Sequence, residues 1–211
     1  MTKKRLALMI SMVLVLTAVV NGATDGMGPL ETLQGTVNKF LEVLNDPDYV
    51  QLKSRTVQRD KIWEIASTIF DLREISRRAI GKPWLKFSAE EKDRFTAVFT
   101  RFLGNTYIDK LQGEYKDVKV DFNRVLIKGS RAMVRTKLIR ESLDVPIDYR
   151  MRNIDGAWRV YDVLIENGVS LVKNYRVQFS SILKKETPGQ LIKRLEEKLA
   201  SRQINAPQTQ K

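Results

Sequence analysis

The chain contains no cysteine and no histidine among its 211 residues. Their absence excludes disulfide bonds, thiol nucleophiles, Cys/His zinc sites and every catalytic triad that uses histidine. An enzyme would have to rely on carboxylates, lysine, tyrosine or serine, so hydrolytic and metal-dependent chemistry is disfavoured. Hydrophobic residues make up 43% and charged residues 29%, proportions typical of a folded soluble protein. The length suits one domain with a core of its own, and no stretch is a linker long enough to separate two domains.

The N-terminal segment has the layout of a secretory signal peptide. Three consecutive basic residues, 3–5, precede an uncharged apolar run over residues 6–20, and small residues follow around Gly22. The run is shorter than the ~20 residues that a membrane span needs. No cysteine follows it, which excludes lipoprotein processing. We therefore predict that residues 1–22 form a cleaved signal peptide and that the mature chain is exported and soluble.

The mature chain is predicted to be basic. The formal charge is +12, and removal of the three basic residues in the predicted signal peptide leaves +9. Such a balance attracts nucleic acid, anionic lipid surfaces or acidic protein surfaces. Export disfavours nucleic acid as a partner, which leaves an anionic membrane or an acidic docking partner. An ordinary solvated basic surface stays an alternative.

Helical spacing of apolar residues predicts helices at both ends of the mature chain. Asp71 is a candidate cap for one of them, and Ser88 with Glu91 forms a capping box for another. Pro188 occupies a first-turn position, where proline is favoured. The predicted helices cover residues 29–44, 61–70, 71–80, 88–111 and 169–183, with a last helix from residue 188.

Between these helices the apolar residues alternate with polar ones, which predicts strands. Short turn sequences separate the strands, so we predict an antiparallel meander with one buried face. Pro146 indicates that its strand lies at an edge or carries a bulge. The fold class is therefore α+β, with helices packed on a curved four-stranded antiparallel sheet in a cone-like domain over residues 23–202, followed by a polar tail over 203–211. The predicted strands lie around residues 118–122, 132–138, 145–151 and 158–165.

A short polar break, Glu166-Asn167-Gly168, separates the last predicted strand from an apolar segment that follows it. Gly168 and Asn167 both tolerate backbone angles that a tight corner requires. We interpret the break as a structural corner rather than a catalytic loop.

Three long stretches resemble a known family. They read FDLREISRRAIGKPWLKFSAEEKDRFTAVFTRFLGNTY from Phe70 to Tyr107, PIDYRMRNIDGAWRVYDVLIENGVSLVKNYRVQFSSIL from Pro146 to Leu183 and TPGQLIKRLEEKL from Thr187 to Leu199. In this order they are similar to the soluble periplasmic lipid carriers of the Mla (maintenance of lipid asymmetry) system, also called toluene-tolerance or ABC-transporter auxiliary proteins. The resemblance covers nearly the whole mature chain. The departures are small: Ile80 stands where leucine is expected, and Pro83 precedes the tryptophan.

The resemblance implies a cone related to nuclear transport factor 2, enclosing a deep apolar cavity. It implies a monomeric periplasmic protein that binds phospholipid as cargo, with no catalytic residue, metal or cofactor. The implied partners are an outer-membrane lipoprotein complex and an inner-membrane ABC transporter with a substrate-binding MCE-type subunit. Transport between them would make the chain a lipid shuttle.

Two groups of residues are candidates for the site. Apolar residues at buried spacings are expected to line the cavity, although each is equally a candidate for ordinary core. The proposed lining residues are Phe70, Ile75, Ile80, Trp84, Phe99, Leu103, Tyr107, Val134, Ile147, Tyr149, Val160, Leu164, Leu171, Tyr175 and Phe179. Basic residues near the predicted Trp84 segment and on the outward sheet face would meet lipid headgroups or a partner, or else serve solubility. They are Arg77, Arg78, Lys82, Lys86, Arg150, Arg152 and Arg159.

Two other functions stay open. An enzyme on the same cone would use Asp148, Asp162 or Tyr149, with one carboxylate pKa raised by an apolar pocket. Both carboxylates are expected to face mostly outward. A transporter adaptor that binds no lipid would instead have a filled core. Internal ion pairs such as Asp71 with Arg78, or Asp162 with Arg176, are a further alternative for the charged residues.

Overall fold

The computed structural model describes residues 26–49, 54–114, 118–140, 143–166 and 168–204. The predicted signal peptide, Asn167 and residues 205–211 of the predicted tail lie outside these ranges. Within them, no helix is long and apolar enough to cross a membrane.

Four helices come first, and their ends follow from local chemistry. The Asp71 carboxylate accepts a hydrogen bond from the Glu74 amide at 3.0 Å and caps the third helix, as predicted. Gly81 ends that helix with a φ of 73°, which favours glycine. The Ser88–Glu91 capping box is confirmed by reciprocal bonds of 2.9 and 3.0 Å. The helices are α1 (Pro29–Asn45), α2 (Arg55–Ile69), α3 (Leu72–Ile80) and α4 (Ala89–Glu114), with 3-10 helices at Pro47–Tyr49 and Lys82–Lys86.

A curved antiparallel sheet follows, with its strands side by side in chain order. The sheet has five strands rather than the predicted four, because a two-residue strand pairs with the end of the fourth. The corner at Glu166 and Gly168 joins these two strands, with φ of 51° and 81°. The strands are β1 (Lys119–Lys128), β2 (Arg131–Arg140), β3 (Leu143–Ile154), β4 (Ala157–Ile165) and β5 (Val169–Ser170).

Two helices close the fold. The helix predicted from residue 169 begins two residues later, because Val169 pairs with Ile165 and the Ser170 hydroxyl accepts a hydrogen bond from the Lys173 amide as its N-cap. These last helices are α5 (Leu171–Ile182) and α6 (Pro188–Ile204).

A β-bulge in β4 changes which side chains face inward. Arg150 pairs with Asp162 and the next residue of β3, Met151, pairs with Val160, so Tyr161 is an extra residue in β4. An extra residue reverses the alternation of side chains beyond it and increases the bend of the strand. Pro146 is the fourth residue of β3 and pairs with Lys137 of β2, just before the register with β4 begins at Ile147. Its strand therefore lies inside the sheet and not at an edge.

The buried residues form two separate clusters. One, here called the aromatic core, is formed by α3, α4, α5, α6 and the 3-10 helix at Lys82–Lys86. Its closely packed rings include Trp84, Phe95, Phe99 and Phe179. The other, here called the sheet core, packs α1 and the end of α2 against the inner face of the sheet. It contains Leu33, Ile69, Ala132, Val134, Met151 and Val160. A space is left where these two clusters meet.

Candidate ligand-binding cavity

A cavity of about 220 Å³ lies between α2 and α4 on one side and the inner face of β3 and β4 on the other. Its helical wall includes Ala66 of α2 and Leu103 of α4, and its sheet wall includes Ile147 and Val163. Nearly all of the lining is hydrocarbon or aromatic ring, so the space favours an apolar ligand over water.

Seven of the fifteen residues proposed from the sequence line this cavity, and the other eight do not. The seven are Phe70, Ile75, Leu103, Tyr107, Ile147, Tyr149 and Leu171. The eight are Ile80, Trp84, Phe99, Tyr175 and Phe179 of the aromatic core or packed on it, Val134 and Val160 of the sheet core, and Leu164. These eight contribute packing and not cavity surface, because protein side chains fill the space around them. That any of the seven cavity-lining residues contacts lipid stays a prediction.

The bulge at Tyr161 explains why Leu164 does not line the cavity. Val163 and Ile165 pair with Tyr149 and Ile147 across the sheet, and all four line the cavity. Without the extra residue, alternation from the inward-facing Val160 would have placed residues 162 and 164 inside.

Trp63 and Gly104 form part of the wall that the sequence reading missed. The Trp63 ring lies so close to Gly104 that a Cβ there would come within 2.8 Å of two ring carbons. Only glycine permits this contact between α2 and α4. An isolated glycine inside a helical pattern is a signal of such close packing, so Gly104 is the residue that would have pointed to Trp63.

The hydroxyl groups that line the cavity differ in their partners. Thr100 donates to the Thr96 carbonyl at 2.7 Å. Burial raises the pKa of Tyr107, and a hydrogen bond with Tyr175 partly offsets this effect. Burial alone raises the pKa of Tyr149, to about 12, so its phenol is neutral across the physiological range.

Asp162 is buried rather than outward-facing, which corrects the sequence-based expectation. Its Oδ1 accepts hydrogen bonds from the Ser170 hydroxyl at 3.0 Å and the Val172 amide at 3.2 Å. Its Oδ2 accepts from Ser170 at 2.8 Å and from Arg150 at 3.2 Å. These bonds stabilise the carboxylate and anchor the start of α5 against β4. The pair is therefore Asp162 with Arg150, not Arg176, whose Nε donates to the Arg78 carbonyl at 2.6 Å.

Four of the seven proposed basic surface residues take part in internal networks. Besides Arg150, the side chains of Arg77 and Arg78 donate to Glu74 at 2.6–2.7 Å. Arg152 donates to Asp71 at 2.7 Å and lies 3.8 Å from Glu74, so the partner of Asp71 is Arg152 and not Arg78. The Arg78 guanidinium also stacks over the Tyr161 ring, with its Cζ 4.2 Å from the ring centroid. These contacts favour a structural role for the four arginines.

The other three basic residues, Lys82, Lys86 and Arg159, form no ion pair with any residue in the described ranges. Two of them flank Leu85, whose side chain is 86% exposed. An exposed leucine between two lysines combines an apolar contact with positive charge, which suits an anionic surface.

Across the described part of the chain, no group of three or more acidic residues is arranged to hold a metal ion. The carboxylates nearest the cavity are engaged by arginines, hydroxyls and backbone amides instead.

The fold and cavity can be compared with known proteins. The profile of the MlaC protein family matches residues 34–197, which is most of the chain. The chain belongs to the MlaC family. This membership confirms the resemblance seen in the three sequence stretches. No curated protein matches the chain at a significant level.

A solved structure of similar fold is the phospholipid-binding protein of Ralstonia solanacearum, in complex with a phospholipid. It has a TM-score of 0.70 and 24% identity, and the match covers 81% of this MlaC-family chain and 96% of that chain. At this identity the likeness establishes the α+β fold alone. An NTF2-like protein of unknown function from Shewanella baltica matches 29% of this chain and 53% of its own, with 15% identity and a TM-score of 0.27, too low to support any argument.

Proposed function

We propose that this protein is a soluble periplasmic carrier that binds phospholipid in its apolar cavity and shuttles it between an outer-membrane complex and an inner-membrane ABC transporter. The observation that carries the proposal is an apolar cavity in a chain of the MlaC family. The Ralstonia protein, which is similar in fold, is a phospholipid-binding protein in complex with a phospholipid.

The energetics of lipid transfer require such a cavity. Hiding one CH₂ group from water is worth ~0.8 kcal/mol, so two acyl tails of about thirty groups amount to roughly 24 kcal/mol. A lipid therefore does not leave a bilayer at a useful rate unless its tails enter an equally dry site. An apolar lining with few polar groups meets this need, and it also permits release, because it lacks a strong headgroup clamp.

The size of the cavity bears on how lipid enters. At about 220 Å³ it is smaller than the ~300–1,000 Å³ of pockets that hold drug-sized ligands. A two-tailed phospholipid is larger than such ligands, so its binding requires the helical and sheet walls to separate. We propose that the walls separate when lipid enters and that this cavity is the closed form of the site.

Export and the partner complexes are part of the proposal. Residues 1–22 supply the export signal, and Lys82, Lys86 and Arg159 supply positive charge for an acidic partner or anionic headgroups. Leu85 would make the apolar contact beside Lys82 and Lys86. An MCE-type subunit of the transporter and an outer-membrane lipoprotein complex are the proposed partners.

The two alternatives have less support. For an enzyme, Asp162 is at the cavity wall, but hydrogen bonds from Ser170, Val172 and Arg150 occupy both oxygens, and a general base needs one free toward its substrate. Asp148 instead faces Arg135, 3.5 Å away. An adaptor without lipid would have no use for an apolar cavity.

A two-step transfer assay tests the carrier function. The chain purified after export is incubated with vesicles that contain radiolabelled phosphatidylethanolamine, the vesicles are removed by centrifugation, and the supernatant is added to fresh acceptor membranes. We expect label in the supernatant in proportion to the protein, and faster delivery to membranes that hold the transporter than to plain lipid vesicles. Label that stays with the donor vesicles would contradict carriage. Equal delivery to both acceptors would contradict the partner assignment.

A further inference from the structure

The Tyr149 hydroxyl is a hydrogen-bond donor without a partner in the cavity. Its side chain projects from β3 into a space walled by apolar groups, and within the described ranges it makes no hydrogen bond or ion pair. Every fully buried side-chain nitrogen and oxygen in those ranges has a partner. The Tyr149 hydroxyl has none, so it is not sealed in protein, and its residue is part of the cavity wall. By contrast, Thr100 and Tyr107, the other hydroxyl-bearing residues of the described lining, are already bonded.

Such a donor is costly to bury unless the ligand supplies an acceptor. When an apolar tail displaces water from the cavity, the hydroxyl must bond to the ligand or lose its hydrogen bond altogether. Tyrosine hydroxyls in buried positions usually find a partner. A polar atom of the cargo therefore lies within reach of Tyr149 when the cavity is occupied.

The surroundings of Tyr149 select the kind of acceptor. No lysine or arginine is among the described lining residues, and the charged group that is present, Asp162, is an anion. A phosphate here would be a buried charge without a counter-charge, which is strongly unfavourable. A neutral carbonyl oxygen carries no such cost. In a phospholipid, the neutral acceptors next to the tails are the acyl-ester carbonyls.

We propose that the Tyr149 hydroxyl donates a hydrogen bond to an acyl-ester carbonyl of the bound lipid and thereby makes the cavity prefer ester-linked to ether-linked lipids. This inference rests on the proposed function, since it assumes a phospholipid as cargo. An ether analogue has the same headgroup and tails but no carbonyl, so it leaves the hydroxyl without its acceptor. A site that hydrogen-bonds its ligand discriminates against an analogue that lacks the bonding group.

A competition experiment tests the preference. The protein is equilibrated with vesicles that contain equal amounts of ester-linked and ether-linked phosphatidylethanolamine with identical chains, and native mass spectrometry counts each bound lipid. We expect the wild-type protein to hold about five ester lipids for each ether lipid, the effect of one net hydrogen bond. Tyr149→Phe keeps the ring and removes the hydroxyl, so its ratio is expected to fall to about one. Tyr161→Phe is the matched control, because Tyr161 lies outside the cavity, and it should keep the wild-type ratio.

The outcomes distinguish a failure of this inference from a failure of the proposed carrier function. Equal binding of the two lipids by the wild-type protein would overturn the inference and leave the carrier function intact. An ester preference that persists in a folded Tyr149→Phe variant would overturn the role of the hydroxyl. Binding of neither lipid by the wild-type protein would overturn both. The wild-type ratio is decisive even where the variant fails to fold.

Discussion

Replacing Ala66 with phenylalanine is expected to lower the amount of bound phospholipid by more than about tenfold while the fold stays intact. Ala66 lies on α2 and faces the cavity, so the added ring points into the space that the tails would occupy. Filling an apolar cavity with a ring buries hydrocarbon, so we expect the unfolding free energy of the lipid-free protein to change by no more than ~1–2 kcal/mol. Lipid extracted per chain measures the first effect, and thermal unfolding followed by circular dichroism measures the second.

The next residue supplies the control. Ser67 is exposed on the same helix, so Ser67→Phe adds the same ring outside the cavity and should retain lipid. A folded Ala66→Phe protein with a normal lipid content would mean that the cargo binds elsewhere. Val134 is unsuitable for such a test, although it was proposed as a lining residue, because it is fully buried in the sheet core. A polar change there would destabilise the fold before it affected the cavity.

Replacing Glu74 with glutamine is expected to cost about 2–3 kcal/mol of unfolding free energy. The Glu74 side chain is 6% exposed and accepts three hydrogen bonds from Arg77 and Arg78. A neutral amide turns one acceptor into a donor and leaves the guanidinium groups without their counter-charge. Loss of one partner of a buried pair costs ~3–5 kcal/mol, and we reduce this figure because the arginines are partly hydrated. Urea unfolding measures the change. Glu64→Gln, at an exposed position of α2, should change stability by less than ~0.5 kcal/mol.

The same carboxylate gives an acid-sensitive contribution to stability. Burial by itself would raise the pKa of Glu74, but the hydrogen bonds and charges of Arg77 and Arg78 outweigh it and hold the pKa below its ordinary value of 4.5. A folded-state pKa below the unfolded one stabilises the fold above pH 4.5, and this contribution is lost as the pH falls through the folded value. The wild-type protein should therefore lose more stability than Glu74→Gln on acidification from about pH 5 to about pH 3. Parallel curves for the two proteins would contradict the role of this carboxylate.

The helix starts and strands could be predicted because short-range chemistry determines them. Asp71, Ser88 and Pro188 stand at helix starts in the structure as the sequence indicated. The alternation of apolar residues located the four long strands. The fifth strand was missed because two residues carry no periodic pattern, and their strand character comes from pairing with β4.

The cavity lining was predicted only in part because one helical face serves two purposes. Phe99 and Leu103 lie one turn apart on α4, yet Phe99 packs in the aromatic core and Leu103 lines the cavity. Periodicity distinguishes buried from exposed positions, but it does not distinguish filled from empty space. The bulge at Tyr161 could not be predicted either, because a bulge is defined by how two strands pair, and the pairing of β4 with β3 is not visible in the sequence.

The partners in long-range ion pairs could not be predicted from the sequence either. Asp71 and Arg152 are 81 residues apart, and many carboxylate–arginine combinations in a chain this rich in charge are equally plausible from spacing. The Asp71 amide donates to the carbonyl of Val160, whose partner on β3 is Met151, and this places the start of α3 beside Arg152. Once that contact is known, the seven basic residues proposed as a docking surface divide into four structural arginines and three cations, Lys82, Lys86 and Arg159, that form no ion pair with the described residues.

Native mass spectrometry of the purified protein, followed by extraction and identification of any bound lipid, tests the carrier account most directly. The account predicts that the exported chain carries phospholipid at about one molecule per chain and that Ala66→Phe carries almost none. A protein that is free of lipid, and that stays so after incubation with phospholipid vesicles, would contradict it.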